Sequence, residues 1–174
     1  LLQRENDMIR NGTTLVGTVG QGVFRGLDNG DSWTRAGVDQ GMHSDCIVRV
    51  LVSERRRPEV VYAGTDMGLY RTKDAGAGWQ LLDTPMSGSV VWAMAIDPVD
   101  PKTMFAGTGT PSRPIIYRST DGGKTWEPRS MEIAEHCANV GIPRPTAIAI
   151  DPSEHYNVWV GIEVDGLRRS TDGG

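Results

Sequence analysis

Cysteine is scarce in this sequence, which contains only Cys46 and Cys137 among its 174 residues. Two cysteines are too few for a disulfide-stabilised scaffold. They also do not form the CxxC pair that is typical of redox and zinc motifs. We therefore expect both residues to be free thiols.

Long apolar runs and blocks of one charge are missing as well. No window approaches the roughly 20 apolar residues of a membrane helix, and the N-terminus LLQRENDMIR lacks the layout of a secretory signal. The formal net charge of −4 comes from both signs mixed along the chain. The basic cluster 55–57 lies between Glu54 and Glu59, as in a solvated loop. We expect no membrane or nucleic-acid partner, and the cytoplasm is the favoured compartment.

Glycine and proline, in contrast, are plentiful, with 22 and 10 residues. They separate short stretches rich in Val, Ile and Thr. This pattern is typical of many short strands joined by turns, and it favours an all-β fold. The length suits one domain, so we treat 1–174 as a single domain.

The chain repeats itself with a period near 47 residues. One element recurs four times, as VFRGLDNGDSW (23–33), LYRTKDAGAGW (69–79), IYRSTDGGKTW (116–126) and LRRSTDGG (167–174). Its aligned aspartates are 46, 47 and 51 residues apart. A second element lies upstream, as LVGT (15–18), YAGT (62–65), FAGT (105–108) and WVGI (159–162). A third reads RVLVS (49–53), AMAIDP (93–98) and AIAIDP (147–152).

Each repeat unit therefore reads as strand, strand, strand, turn, strand. A period of this length with about four strands predicts a β-propeller built from four-stranded antiparallel blades. About three and a half blades are present, at approximately 1–40, 41–86, 87–131 and an incomplete 132–174. Propellers have about four to eight blades. We expect further blades of a longer chain, or a second copy in a homo-oligomer, to close the ring.

The segment STDGGKTW (119–126) resembles the Asp-box, or BNR, motif of sialidases, xyloglucanases, sortilin and photosystem assembly factors. Two copies depart from the motif, with Gly26 and Gly78 at Ser/Thr positions. An aspartate can accept N–H groups of its own turn, glycine tolerates positive φ, and the tryptophan packs the hairpin on its blade. We therefore expect structural roles for the box residues Asp28, Trp33, Asp74, Trp79, Ser119, Asp121, Gly123, Thr125, Trp126 and Asp172.

In the family that this motif resembles, the boxes lie opposite the ligand-binding face. That face is formed by the loops that lead into first strands and by those between second and third strands. The longest of them, roughly 132–145, breaks the repeat and is either a functional loop or a tolerated insertion. The candidate ligand-binding residues on this face are His43, Trp92, Arg113, Glu135, His136 and Arg144.

Four carboxylates on the same face are candidates for catalysis. Two carboxylates about 5–9 Å apart could perform glycoside hydrolysis, with Trp92 as a sugar platform. Alternatively, the carboxylates simply face solvent and Trp92 packs between blades. The four residues are Asp45, Asp66, Glu163 and Asp165.

Two further chemistries are disfavoured. His43, Asp45, Glu135 and His136 have no spacing of a known metal motif, so we expect no metal and no cofactor. The arginine set of sialidases is missing too, since the nearest string to their Arg-Ile-Pro element is 142–145, in the wrong blade and order.

The resemblance implies a propeller of the sialidase-like superfamily that binds a ligand, a glycan or a protein on its channel face. One alternative is a glycoside hydrolase, or a related hydrolase, with part of its site on other blades. A second alternative is an assembly or scaffold factor. Whether the chain is an enzyme stays open, and if it is one we expect a glycosidase-like hydrolase.

Overall fold

The chain folds into antiparallel sheets arranged as consecutive blades. The computed structural model describes residues 12–27, 30–111 and 113–174. Its strands are β1 (Thr14–Gly17), β2 (Val23–Leu27), β3 (Ser32–Ala36), β4 (Val48–Glu54), β5 (Arg57–Thr65), β6 (Gly68–Thr72), β7 (Gln80–Leu81), β8 (Val90–Ile96), β9 (Met104–Gly109), β10 (Ile115–Ser119), β11 (Glu127–Arg129), β12 (Pro145–Ile150), β13 (Val158–Ile162) and β14 (Gly166–Ser170). A short 3-10 helix, Val38–Gln40, follows β3.

Each sheet follows chain order, as in an up-and-down meander. The sheets are β1–β2–β3, β4–β5–β6–β7, β8–β9–β10–β11 and β12–β13–β14, and we call them the first to fourth blades. The repeat aligns β1 with the second strands β5 and β9, so the described part of the first blade begins at its second strand. The prediction of a partial all-β propeller is confirmed. The sheets fall inside the four blade ranges given above, which themselves stay a prediction.

The second strands are buried because a neighbouring blade covers them. Every residue of β9 is buried, and so are the last six of β5. Such continuous apolar runs are typical of strands that are covered on both faces. Three apolar clusters fill the spaces between the first and second, second and third, and third and fourth blades.

Neighbouring blades touch most closely at one repeated glycine. A Cβ added to Gly17 would lie 2.5 Å from Val48 of the next blade, and one on Gly64 would lie 2.8 Å from Val91. On Gly107 it would lie 2.6 Å from the next blade's Pro145. Only glycine leaves room for this contact between a second strand and the following first strand.

The first strands share an irregularity that corrects the sequence alignment. The pairing register shifts between Val48 and Val50, between Val91 and Ala93, and between Pro145 and Ala147. Each shift is a β-bulge, with one residue left out of the ladder. Aligning Arg49 with Ala93 is therefore wrong by one residue. The equivalent bulge residues are Arg49, Trp92 and Thr146.

The turns between third and fourth strands (72–79, 119–126 and 170–174, the repeated turns) are held by their aspartates. Asp121 Oδ1 accepts the N–H groups of Lys124 and Thr125, both at 2.9 Å, and Oδ2 accepts the Thr125 hydroxyl at 2.6 Å. Ser119 Oγ accepts the Gly123 N–H at 2.9 Å, and Gly123 has a φ of +79°. The hydrogen bonds from Thr125 hold the pKa of the Asp121 carboxyl well below its usual range.

The other described copies are built in the same way. Asp74 Oδ1 accepts the Gly78 N–H at 2.9 Å, and Asp172 Oδ1 accepts the Ser170 hydroxyl at 2.5 Å. Hydrogen bonds from Thr72 and Ser170, respectively, lower the pKa values of these two carboxyls. Asp28 lies outside the described residues.

The repeated turns lie at the end of the blades where first and second strands connect. The N–H groups of Ala75, Gly122 and Gly173 donate to the carbonyls of Glu59, Lys102 and Tyr156, respectively, at 2.9–3.0 Å. These acceptors lie in, or next to, the connections between first and second strands. The turns are therefore opposite the face that carries the candidate site.

The tryptophans of the repeat differ in burial. Trp79 packs between the first and second blades and Trp126 between the second and third, and each is 6% exposed. Trp33, expected to pack in the same way, is 46% exposed and lies over Gly26 instead. Its environment differs because no blade precedes it in the described part of the chain. Gly26 leaves room for its ring.

The glycine contact between blades can be tested with a matched pair of substitutions. In Gly64→Ala the new methyl would meet Val50, Val91 Cγ1 and the Val91 carbonyl oxygen within 2.9 Å. We expect this overpacking to lower the free energy of unfolding by about 1–3 kcal/mol. Gly161→Ala, at the equivalent position of the fourth blade, meets nothing closer than 3.7 Å and should change it little. Urea denaturation measures both, and equal effects would contradict the packing argument.

The repeated turns predict a pH dependence of stability. Because the folded pKa of Asp121 is lowered, the ionised carboxylate stabilises the fold above its unfolded pKa of about 3.9. That contribution is lost as the pH falls through the folded pKa. We therefore expect Asp121→Asn to be less stable than the parent at pH 7, with the difference narrowing below about pH 4. Thermal denaturation from pH 7 to 3 measures this, with exposed Asp83→Asn as a control that should show no such trend.

Candidate functional site

The candidate residues gather at the end of the blades opposite the repeated turns. The loops there lead into β4, β8 and β12 or join second to third strands, and we call this end the channel mouth. The first strands β4, β8 and β12 are in contact in that order. Each of these strands begins at the mouth, and its β-bulge lies within its first three residues. The three bulges therefore bring side chains of different blades together.

A tryptophan flanked by two arginines lies at the centre of the mouth. The guanidinium carbon of Arg49 is 4.3 Å from the centre of the Trp92 ring, and that of Arg144 is 4.1 Å from it. One arginine comes from the second blade and the other from the segment that leads into the fourth, while Trp92 belongs to the third. Such cation–π contacts stabilise a guanidinium by about 0.5–2 kcal/mol.

Arg144 also binds a carboxylate of its own blade. Its guanidinium donates to Glu163 Oε1 at 2.8 Å, and the Glu163 N–H donates to the Arg144 carbonyl at 2.9 Å. Two buried polar atoms of this cluster, Glu163 Oε2 and Trp92 Nε1, have no hydrogen-bond partner within the described residues. Gly109 makes room beside them, because a Cβ there would lie 2.8 Å from Arg144 Cβ. The cluster retains unused hydrogen-bonding capacity.

Three further candidates lie in the second blade. Asp66 is half-buried, its Oδ1 accepts the Ile47 N–H at 2.8 Å, and its own N–H donates to the Ile47 carbonyl. Asp45 and His43 are exposed, and the Asp45 N–H points to His43 Nδ1 at 3.4 Å. Cys46 is a free, buried thiol, and burial raises its pKa to about 11. Asp66 is thus oriented by the backbone, whereas Asp45 and His43 are held weakly.

The long loop 130–144 is anchored to the fourth blade. Asp165 Oδ2 accepts the Ala134 N–H at 3.0 Å and an Arg168 N–H at 2.9 Å, while Arg168 Nε donates to the Glu132 carbonyl at 3.0 Å. The backbone N–H of Ala134, together with Arg168, lowers the pKa of the Asp165 carboxyl. A general acid in glycoside hydrolysis needs a raised pKa. The environment of Asp165 therefore suits an anchor of the loop better than an acid.

Of the remaining candidates, Glu135 and His136 lie in this loop, and Arg113 lies in the connection between β9 and β10. Arg113 donates to Glu135 Oε1 at 2.9 Å, but the two side chains are 79% and 86% exposed. His136 is exposed too. An ion pair this exposed contributes little to stability. These three residues stay predictions as ligand contacts.

Sequence reasoning missed Arg49 and Thr146, the bulge residues equivalent to Trp92. The signal is the position just before the third repeated element, where Trp92 and Thr146 lie, whereas the alignment makes Arg49 the first residue of that element (49–53). The one-residue error in aligning the second blade hid it. Only the pairing register shows that Arg49 and Trp92 occupy the same place in successive blades.

Neither a metal-binding cluster nor a membrane-spanning helix is present in the described ranges. No group of three or more His, Cys, Asp and Glu side chains there could hold a metal ion. No helix in that part of the chain is long and apolar enough to cross a membrane.

Comparison with known proteins relates the chain to xyloglucanases. It is 27% identical to a xyloglucanase from Paenibacillus sp. over 83% of this chain and 15% of that protein. It is 31% identical to a xyloglucanase from Hypocrea jecorina over 66% of this chain and 15% of that protein. The chain thus spans less than a sixth of the length of these relatives. No family model matches it.

Solved structures agree on the architecture. An ancestral GH74 enzyme superimposes with a TM-score of 0.76 at 18% identity, over 95% of this chain and 22% of that protein. At this identity the likeness shows the fold alone. It supports the assignment of the chain as part of a β-propeller.

The anchoring of loop 130–144 can be tested by amide hydrogen exchange. Asp165→Ala removes the acceptor of the Ala134 N–H, so we expect exchange in this loop to become about tenfold faster, as for the loss of one ordinary hydrogen bond. Glu135→Ala removes only an exposed ion pair and is the matched control. Exchange followed by mass spectrometry measures both. Unchanged exchange in Asp165→Ala would contradict the anchor.

Proposed function

We propose that this chain is a section of a xyloglucanase-like glycoside hydrolase whose channel mouth binds a glycan chain. The observation that carries this proposal is the similarity to xyloglucanases, which extends over 83% of the chain in one case. The similarity spans three blades or more, so it is not confined to one repeated turn. The glycosidase alternative therefore takes precedence over a propeller that only binds its ligand.

The mouth has the polar groups that a sugar chain requires. Sugar hydroxyls both donate and accept, and here Arg49 and Arg144 offer donors while Glu163 and Asp66 offer acceptors. Glycan sites also combine a few polar groups with aromatic side chains, and Trp92 contributes here by holding Arg49 and Arg144 over its ring. His43, Arg113, Glu135 and His136 would extend the surface along the loops.

Among the four candidate carboxylates, Asp66 suits catalysis best. Glu163 and Asp165 are engaged by Arg144 and Arg168, so they act as positioning groups. Asp66 forms no ion pair with any of the described residues, and the Ile47 N–H fixes its direction. Glycoside hydrolysis needs a second carboxylate about 5–9 Å away. Asp45, at the same end of the second blade, is the candidate from this chain, and a further blade is the alternative source.

We also propose that the repeated turns are Asp-box turns of the sialidase-like superfamily. The support is the agreement of hydrogen bonds at Asp74, Asp121 and Asp172 with the expected role of the motif. Further blades, from a longer chain or from a second copy, would complete the ring.

Turnover of tamarind xyloglucan by an Asp66→Asn variant tests the hydrolase proposal. We expect the rate to fall by about 10²–10⁴-fold, the usual contribution of a general acid or base, with an unchanged melting temperature. The matched control is Glu127→Gln, an exposed residue on the outermost strand β11, which should keep full activity.

The other outcomes separate the alternatives. Full activity in Asp66→Asn would exclude this residue as the catalytic group. Binding of xyloglucan without turnover by the parent protein would favour a propeller that binds glycans and does not cleave them. Neither binding nor turnover would overturn the proposed function.

A further inference from the structure

The cluster around Trp92 carries an unbalanced positive charge. Its charged side chains are Arg49, Arg144 and Glu163, and Glu163 neutralises only Arg144, at 2.8 Å. Arg49 is exposed and forms no hydrogen bond or ion pair with any residue in the ranges described. The whole chain has a net charge of −4. Against this negative charge, a guanidinium at the mouth with no partner among the described residues is an unusual feature.

The position of Arg49 is fixed, which distinguishes it from an ordinary surface arginine. It is a bulge residue, so it leaves the ladder of β4 and turns toward the neighbouring blade. Its guanidinium carbon lies 4.3 Å from the centre of the Trp92 ring. This cation–π contact uses none of the N–H donors of the group. A planar fork of free donors suits a carboxylate, which it can bind with two parallel hydrogen bonds.

The flanking arginines also change what Trp92 can do. A sugar stacks on a tryptophan through the face of the ring. Here the guanidinium carbons of Arg49 and Arg144 lie over the ring, 4.3 and 4.1 Å from its centre, and compete with a sugar for that surface. The two cationic carbons are thus no more than 8.4 Å apart, the sum of those distances. Recognition at this point depends on the N–H donors of the arginines rather than on an open aromatic face.

We propose that the channel mouth recognises a glycan that carries a carboxylate, with Arg49 as the residue that binds it and Trp92 as the group that positions Arg49. This inference rests on the proposed function, since it takes a glycan at the mouth as given. Arg144, already paired with Glu163, adds attraction over a short distance. The ligand class is a sugar chain with a uronic acid unit.

The test compares two ligands that differ only in the carboxylate. One is xylotriose with a single 4-O-methylglucuronate side group, and the other is the same compound with its carboxylate reduced to a primary alcohol. Isothermal titration of the full chain should give tighter binding of the acid by about ten- to a hundredfold, as expected for a hydrogen-bonded charge pair. The preference should shrink as salt is raised, because the charges at the mouth are partly exposed.

Three variants separate the roles. Arg49→Gln should abolish the preference for the acid. Arg49→Lys should retain part of that preference, because lysine keeps the positive charge but cannot form two parallel hydrogen bonds to a carboxylate. Arg71→Gln, on β6 and paired with Gln80, should leave the preference unchanged. Equal binding of the two ligands by the parent, or a full preference in Arg49→Gln, would overturn the inference.

Failure of the two proposals can be told apart. If the protein hydrolyses neutral xyloglucan but binds the acidic xylotriose derivative no more tightly than the reduced one, the carboxylate inference is wrong. The proposed function is then unaffected. Failure to bind either xylotriose derivative would also overturn the inference. Loss of xyloglucan binding and turnover would in addition overturn the proposed function.

Discussion

The close contact between each second strand and the next first strand is the constraint on which this structure depends. At Gly64 the neighbouring blade is so near that a single methyl group would meet Val91 at 2.8 Å. This contact sets the distance between blades and therefore the spacing of β4, β8 and β12. It also allows the apolar side chains of adjacent sheets to interdigitate into the clusters between them. Because each blade contacts only its neighbours, burial of this kind between adjacent blades contributes to the stability of every blade.

The two ends of the blades use polar groups in opposite ways. At the end with the repeated turns the aspartates are saturated, as Asp121 is by Lys124 and Thr125. Saturated groups rigidify a turn and have little left for a ligand. At the mouth, Arg49 has free donors, and Glu163 Oε2 and Trp92 Nε1 lack partners among the described residues. The capacity to bind is thus concentrated at one end of the blades.

The β-bulges link the repeat to the site. A regular first strand would direct every second side chain toward the neighbouring sheet. The bulge takes one residue per blade out of that alternation and presents it at the start of the strand. In successive blades those residues are Arg49, Trp92 and Thr146, which differ in chemistry although their backbone positions are equivalent. A repeated backbone can in this way support a site that is not repeated.

Sequence alone determined the architecture. The period near 47 residues, the recurring glycine and the Asp-turn-Trp element are local patterns, so they can be read directly from the order of the residues. It also placed Trp92, Arg144 and Glu163 at the end of the blades opposite the repeated turns, and their role in ligand binding stays a prediction. Tertiary structure decided what those residues do. Arg49 reaches Trp92 across a blade boundary, because contacts between blades depend on strand register. A shift of one residue in that register, which the sequence did not reveal, changes which side chain faces the channel.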